Sequence, residues 1–219
     1  QAEDEPELAF QINRDAPKVI AEKAREYHIP LIHFSTDYVF DGEKKEAYEE
    51  GDTTNPLGIY GESKLAGEEA IQEIGGHIYI FRTSWVYSNT GHNFYLTMKR
   101  LSQERDELKV VADQFGVPTS NQFIVEQIKH IIPKLNDENT GVYHLVPDGS
   151  CSWYEFAKEI IGQTNPLFNL KNLHAIKTHE FPTKTQRPMN SRLNNQKIKD
   201  TFDLHFKKWD ELLNELIDD

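Results

Sequence analysis

The feature that most limits how this chain can fold is a short apolar run, Leu31 to Phe34, ending in the polar triplet Ser35-Thr36-Asp37. Coming straight after His28-Ile29-Pro30, the run predicts a buried strand of a parallel sheet covered on both faces. In an open α/β sheet, ligands bind beyond the carboxyl ends of the strands, so these two hydroxyls and the carboxylate should face a crevice. The polar stretch that follows carries the turn signals Asp41-Gly42, Gly51-Asp52 and Asn55-Pro56. A helix then starts near Tyr60, with Leu65, Ala66, Ala70, Ile71 and Ile74 on one face and Glu62, Glu69 and Glu73 on another.

Tyr60 and Lys64 are four residues apart, hence one turn apart on the same helix face. A phenol ionises near pH ~10, and a nearby ammonium would favour the phenolate and bring the group toward neutral proton exchange. The ordinary alternative is a half-buried Tyr60 with Lys64 pairing to Glu68, four residues on, and spacing alone favours that reading.

Along the chain, helices and strands alternate, as in an α/β fold. Gln1 to Phe10 is acidic and helix-like, and Asp15 with Pro17 predicts a second helix start, Asp15 as its cap. His77 to Arg82 reads as a second strand, Asn93 to Arg105 as a helix and Leu108 to Val111 as a short strand. Thr119-x-x-Gln122 and Ser152-x-x-Glu155 both fit capping boxes, with a strand, Gly141 to Val146, between their helices. Gln163 to Asn190 reads as loop, and Trp209, Leu212, Leu213, Leu216 and Ile217 recur at helical spacing. Gly58, Gly61 and Gly75-Gly76 do not lie between an early strand and a helix, so none of them forms a dinucleotide-binding glycine turn.

Composition excludes several classes. The 219 residues carry a formal net charge of −12, with no basic stripe to offset it, which argues against a nucleic-acid partner. The sequence shows no spanning segment or signal peptide, so no membrane partner is expected. Cys151 is the single cysteine, which rules out an internal disulfide and suits a reducing compartment. Nine histidines are spread singly, so no metal site is expected, and His33 reads as a core histidine. Ser63 and Ser84 lack the glycine-flanked elbow of a hydrolase.

STDYVFDG, YGESKLAGE and FRTSWVY, in that order, closely resemble the dTDP-4-dehydrorhamnose reductase family of extended short-chain dehydrogenase/reductases. The resemblance continues through DQFGVPTS and GVYHLVPDGSCSWYEFA to RPMNSRL, covering essentially the whole chain. It implies a Rossmann-like parallel sheet, amino-terminally incomplete, with a small α/β substrate-binding domain. Residues 1–90, rejoined by 115–145, would form the carboxyl-terminal part of the dinucleotide domain, and 91–114 with 146–219 mainly the substrate domain. The family's opening βα units should precede Gln1, and without them one sheet edge and an apolar face would be uncovered.

The resemblance further implies reduction of the 4-keto group of a dTDP-linked 6-deoxy sugar by NADPH, with NADH as the alternative donor. Tyr60 would donate the proton, Lys64 would hold the nicotinamide ribose and lower the Tyr60 pKa, and Thr36 would hydrogen-bond the reacting oxygen. Asp37 and Trp85 would contact the sugar, and Arg187 the diphosphate. A cytoplasmic location and a homodimer are compatible with the family. Two other readings stay open: a non-catalytic binding protein like the regulatory subunit of methionine adenosyltransferase, and a 4,6-dehydratase or epimerase.

Overall fold

In the computed structural model, which describes residues 2–218, the amino-terminal helix α1 (Pro6–Phe10) runs without a break through a π-helical turn, Gln11–Asp15, into α2 (Ala16–Glu26). The predicted cap at Asp15 is therefore not formed. Asp15 has helical backbone angles, and its carboxylate accepts from Arg14 Nε at 2.7 Å. The wider π turn takes up the chain where a break was expected, and it lies just before Pro17, which lacks the N–H that an uninterrupted α-helix would use at that point.

There follow β1 (Leu31–Thr36), α3 (Ile59–Ile74), β2 (Ile78–Thr83), β3 (Val86–Tyr87), α4 (Phe94–Glu104), β4 (Leu108–Val111), β5 (Phe115–Gly116), β6 (Thr119–Ser120) and α5 (Asn121–Ile131). The chain closes with β7 (Gly141–His144), β8 (Cys151–Ser152), α6 (Trp153–Thr164), β9 (Leu173–Ile176), α7 (Gln196–Phe202) and α8 (Trp209–Asp218).

The main sheet is parallel, in the order β1-β2-β7, with Leu31 opposite Ile78, Thr36 opposite Thr83 and Tyr79 opposite Gly141. This is an α/β fold with helices on both faces. Ala21, Ile71, Ile78 and Ile80 close the core beneath α2 and α3, while Tyr79, Phe81, Phe123, Tyr143, Ile198 and Phe202 close it beneath α5 and α7. Every position of β2 is buried, as a central strand requires.

β1 departs from the expectation of full cover. Among the described residues it pairs only with β2, and Phe34 is 41% exposed. Leu8, Ile12, Val19, Ile20, Tyr27 and Ile29 are exposed as well.

Three two-stranded sheets, β3-β6, β4-β9 and β5-β8, build the other part of the molecule around α4, α6 and α8. β9 lies inside the stretch read as loop: of its four residues only Leu173 is buried, so the alternation that marks a strand is too short to register. The Ser152 box forms in both halves, Ser152 Oγ accepting from Glu155 N at 3.2 Å and Glu155 Oε2 from Ser152 N at 2.7 Å. The other predicted box slips by one residue. Ser120 caps α5, because the Thr119 hydroxyl donates instead to the Val117 carbonyl at 3.1 Å.

Candidate active site

The parallel register brings the carboxyl ends of β1 and β2 side by side, with Thr36 beside Thr83. Across this end lies the amino-terminal turn of α3. No α3 residue caps that turn; the Glu3 carboxylate accepts from Ile59 N at 3.0 Å. The cleft between them has a volume of about 460 Å³. Thr36, Asp37, Tyr60, Trp85 and Arg187, five of the six residues read from the sequence as site residues, all line it.

Lys64 is the exception. Its amine donates to the Phe34 carbonyl at 2.6 Å and lies 3.5 Å from His33 Nε2. Burial holds Lys64 below the usual ammonium value, and burial with the Lys64 charge lowers His33 to about 4, so this imidazole is neutral. The Tyr60 phenol is pushed up, first by burial and then by the Asp37 charge, with the nearby Thr36 hydroxyl acting the other way.

The Thr36 hydroxyl is also committed differently from expectation. It donates to Asp37 Oδ1 at 3.0 Å and accepts from Tyr38 N at 3.2 Å. A threonine has one proton to give, so in this arrangement Thr36 offers Tyr60 or a substrate only an acceptor. Asp37 is 3% exposed, its Oδ2 has no partner, and burial raises its pKa to about 6 against the hydrogen bond from Thr36 and the nearby Ser191 hydroxyl. Ser35 Oγ and Thr83 Oγ1, also lining the cleft, are buried without partners. Several polar atoms left unpaired in one cleft mark a place shaped for a polar ligand.

Trp85 has a left-handed backbone, φ 46°, unusual for a bulky residue. That turn lays its indole on Trp153, 3.5 Å between ring centroids and 10° from parallel. One face of Trp85 is thus already covered by Trp153, a residue the sequence reading did not single out. Phe94, also missed, packs on Trp153 at 4.5 Å. Both Phe94 and Trp153, together with Arg187, line a second, larger cavity of about 730 Å³, walled by Met98, Leu101, Val110 and Ile176. The two cavities therefore share a wall, and the exposed Arg187 stands at it.

The family profile of the RmlD substrate binding domain matches residues 1–219. The chain belongs to that family. Among relatives of this RmlD-family chain, dTDP-4-dehydrorhamnose reductase of Escherichia coli (strain K12) is 44% identical over 226 residues, 99% of this chain and 75% of the relative. The dTDP-4-dehydrorhamnose reductase of Sinorhizobium fredii is 41% identical, again over 99% of this chain and 75% of the relative. The crystal structure of dTDP-4-dehydrorhamnose reductase from Bacillus anthracis str. Ames in complex with NADP superposes with a TM-score of 0.91. It is 38% identical, and the match covers 99% of this chain and 75% of that one.

The residues present in this RmlD-family chain fit the nicotinamide-ribose end of such a cofactor. Lys64 spends one proton on the Phe34 carbonyl and keeps others for ribose hydroxyls, and Tyr60, 40% exposed, stands beside it one turn earlier on α3. Among the described residues no helix is long and apolar enough to cross a membrane, and no group of three or more His, Cys, Asp or Glu side chains could hold a metal ion.

Proposed function

We propose that the strand-end cleft is where this chain performs the chemistry of its family, reduction of the C4 ketone of dTDP-4-dehydro-6-deoxy-L-mannose to dTDP-L-rhamnose, with NADPH as the reductant. The observation that carries the reading is the shared wall. A cleft with an acid–base group, Tyr60, opens beside a larger apolar cavity, and one arginine serves both. That arrangement suits a sugar joined through a diphosphate to an aromatic base.

When bound, NADPH supplies the hydride that reaches C4. Tyr60 donates the proton to the oxygen that becomes the C4 hydroxyl. Lys64, held by the Phe34 carbonyl, orients the ribose. The Thr36 hydroxyl, which lines the same cleft as Tyr60, stands beside the reacting oxygen. Asp37 faces the sugar, and the Trp85–Trp153 stack supplies an apolar wall for the ring or its methyl group. Arg187 meets the diphosphate with a fork of donors.

Residues 1–90 with 115–145 serve the cofactor side in this reading, and 91–114 with 146–219 mainly the substrate side, although α7 packs Ile198 and Phe202 under the main sheet. A single cysteine left as a buried thiol suits a cytoplasmic location. A homodimer is compatible with the reading, and no particular surface is assigned to it. A purely partner-binding role would not require a phenol, a hydroxyl and a carboxylate gathered in one cleft.

The test is an assay of the protein with NADPH and the 4-keto sugar nucleotide. Formation of dTDP-L-rhamnose is expected, and Arg187→Ala should raise KM for the sugar nucleotide about 10–100-fold, the equivalent of one or two charge-assisted bonds. Tight binding of the sugar nucleotide without turnover would favour the partner-binding reading.

A further inference from the structure

We propose that Asn190 is a positioning residue for the sugar nucleotide: it ties the segment that carries Arg187 to the loop joining Asp37 to the Tyr60 helix, and so sets where the Arg187 guanidinium stands. The inference rests on the reductase reading above and deepens it at the diphosphate.

Asn190 is 6% exposed, and every hydrogen-bonding position of its side chain is used. The amide nitrogen has two protons, given to the carbonyls of Lys44 and Glu46, each at 2.7 Å. The amide oxygen has two lone pairs, which accept from Arg192 N at 3.1 Å and from Arg192 Nε at 2.8 Å. Arg192 in turn donates through Nη2 to the Lys45 carbonyl. The consecutive carbonyls of Lys44, Lys45 and Glu46 are thus held by one buried amide and the guanidinium it orients. Only an amide serves here, since a carboxylate has no proton for the two carbonyls and an apolar side chain would leave them unpaired.

The backbone follows the same connection. Tyr48 N donates to the Arg192 carbonyl at 2.8 Å, and Asn194 N to the Tyr48 carbonyl at 2.7 Å. Toward β5, Phe115 N donates to the Met189 carbonyl at 2.9 Å and Ser191 N to the Phe115 carbonyl at 2.7 Å. Residues 189–194 therefore bridge the loop after β1 to β5. Gly42, with φ 80°, lies against the start of this bridge, because a Cβ there would sit 2.6 Å from Pro188 Cβ and 2.7 Å from Met189 N. Upstream of Arg187 the frame is weaker: residues 181–186 form neither helix nor strand and are mostly exposed. The place of Arg187 is set from Pro188 onward.

This frame bears on the ligand. Arg187 is exposed at the wall shared by the two cavities, and a long side chain binds phosphate better when the backbone that carries it is already ordered. The loop that Asn190 holds leaves from Asp37 and returns at Tyr60, so the diphosphate site and the reaction site share one frame. Lys64, on the cofactor side, is held separately by the Phe34 carbonyl. Loss of Asn190 should therefore be felt by the sugar nucleotide and not by the cofactor.

The test measures kcat, KM for the sugar nucleotide and KM for NADPH in Asn190→Ala, Arg187→Ala and the double variant, with calorimetric binding of dTDP as a readout without turnover. Asn190→Ala should raise KM for the sugar nucleotide and the dissociation constant of dTDP about tenfold, while kcat and KM for NADPH stay within about twofold. Added to Arg187→Ala it should change little more, because the group it positions is gone. Gly42→Ala, which pushes on Pro188 from the loop, should give the same pattern and takes the place of Asn190→Ala should that variant not fold. Unchanged dTDP affinity in the folded variant, or effects of Asn190→Ala and Arg187→Ala that simply multiply, would overturn the positioning role and leave the reductase reading intact. Weakened dTDP binding in the variants, with no turnover by the wild type, would support the positioning role and overturn the reductase reading.

Discussion

Glu68 and Arg82 form a bidentate ion pair between α3 and β2, closed off from water, with Arg82 Nε 3.0 Å from Glu68 Oε1 and Nη2 2.6 Å from Oε2. Tyr60, Lys64 and Glu68 follow one another at four-residue steps along one stripe of α3. The pair therefore fixes the rotation of the helix that presents the catalytic phenol. It also explains why Lys64 lacks the Glu68 partner that spacing suggested. Glu68 is spent on Arg82, which lies 5.1 Å over the Phe40 ring and donates to the Glu50 carbonyl at 3.4 Å.

Removing one partner leaves a buried charge with no counter-ion. Arg82→Met should cost about 3–5 kcal/mol of stability, measured by urea unfolding. Arg82→Met with Glu68→Leu should recover most of that loss, because two apolar side chains replace the pair. Equal losses in the single and double variants would show that packing around the pair, not charge, sets the cost.

Gly116 marks a close approach. A Cβ at this position would sit 2.4 Å from Trp85 Cε2. Gly116→Ala should push the indole off Trp153 and lower kcat/KM about 10–100-fold, since misplacing a positioning group by an ångström has effects of that size. Circular dichroism should show the fold kept. Unaltered kinetics would mean that the Trp85 ring does not help to hold the sugar.

Acid should destabilise the fold through its histidines. His144 is fully buried, its Nδ1 bonds the Asn194 carbonyl at 3.1 Å and its Nε2 has no partner. Burial, then the Arg82 charge, lowers it from 6.5 to about 3, and His33 falls to about 4. The unfolded chain takes up protons below 6.5 that the folded one refuses, so stability is present above 6.5 and is lost as pH falls toward 3. Asp37, raised from 3.8 to about 6, acts oppositely: the folded state takes its proton first, which gains stability as pH falls through 6. The two histidine shifts together exceed the single aspartate shift. The urea midpoint should therefore drop between about pH 7 and pH 5, and drop less in His144→Gln. A midpoint that rises over that range would contradict the sign.

Much of the site was legible because its signals are local. A strand ending in Ser35-Thr36-Asp37, a helix opening at Tyr60 and a box at Ser152 each rest on neighbours in sequence, and each forms where expected apart from small shifts in bounds. Trp153, Phe94 and Thr83 were not legible as site residues, because long-range packing alone carries them to the cleft. Spacing placed Lys64 on the face of Tyr60 but could not reveal that the Phe34 carbonyl lies nearer its amine. Nor could it show that Asp37 claims the one proton of Thr36, since that depends on burial and on the turn after β1. Arg187 was read only through the RPMNSRL motif, and its meaning comes from two cavities meeting beside it.

The measurement that tests the central claim most directly is single-turnover reduction of the 4-keto sugar nucleotide by Tyr60→Phe, alongside its affinity for the sugar nucleotide. Loss of the phenol proton should slow reduction about 100–10,000-fold, the usual worth of a positioned acid, while the dissociation constant changes little. Reduction at the wild-type rate would show that Tyr60 is not the proton donor, and the assignment of the strand-end cleft as the reaction site would fall with it.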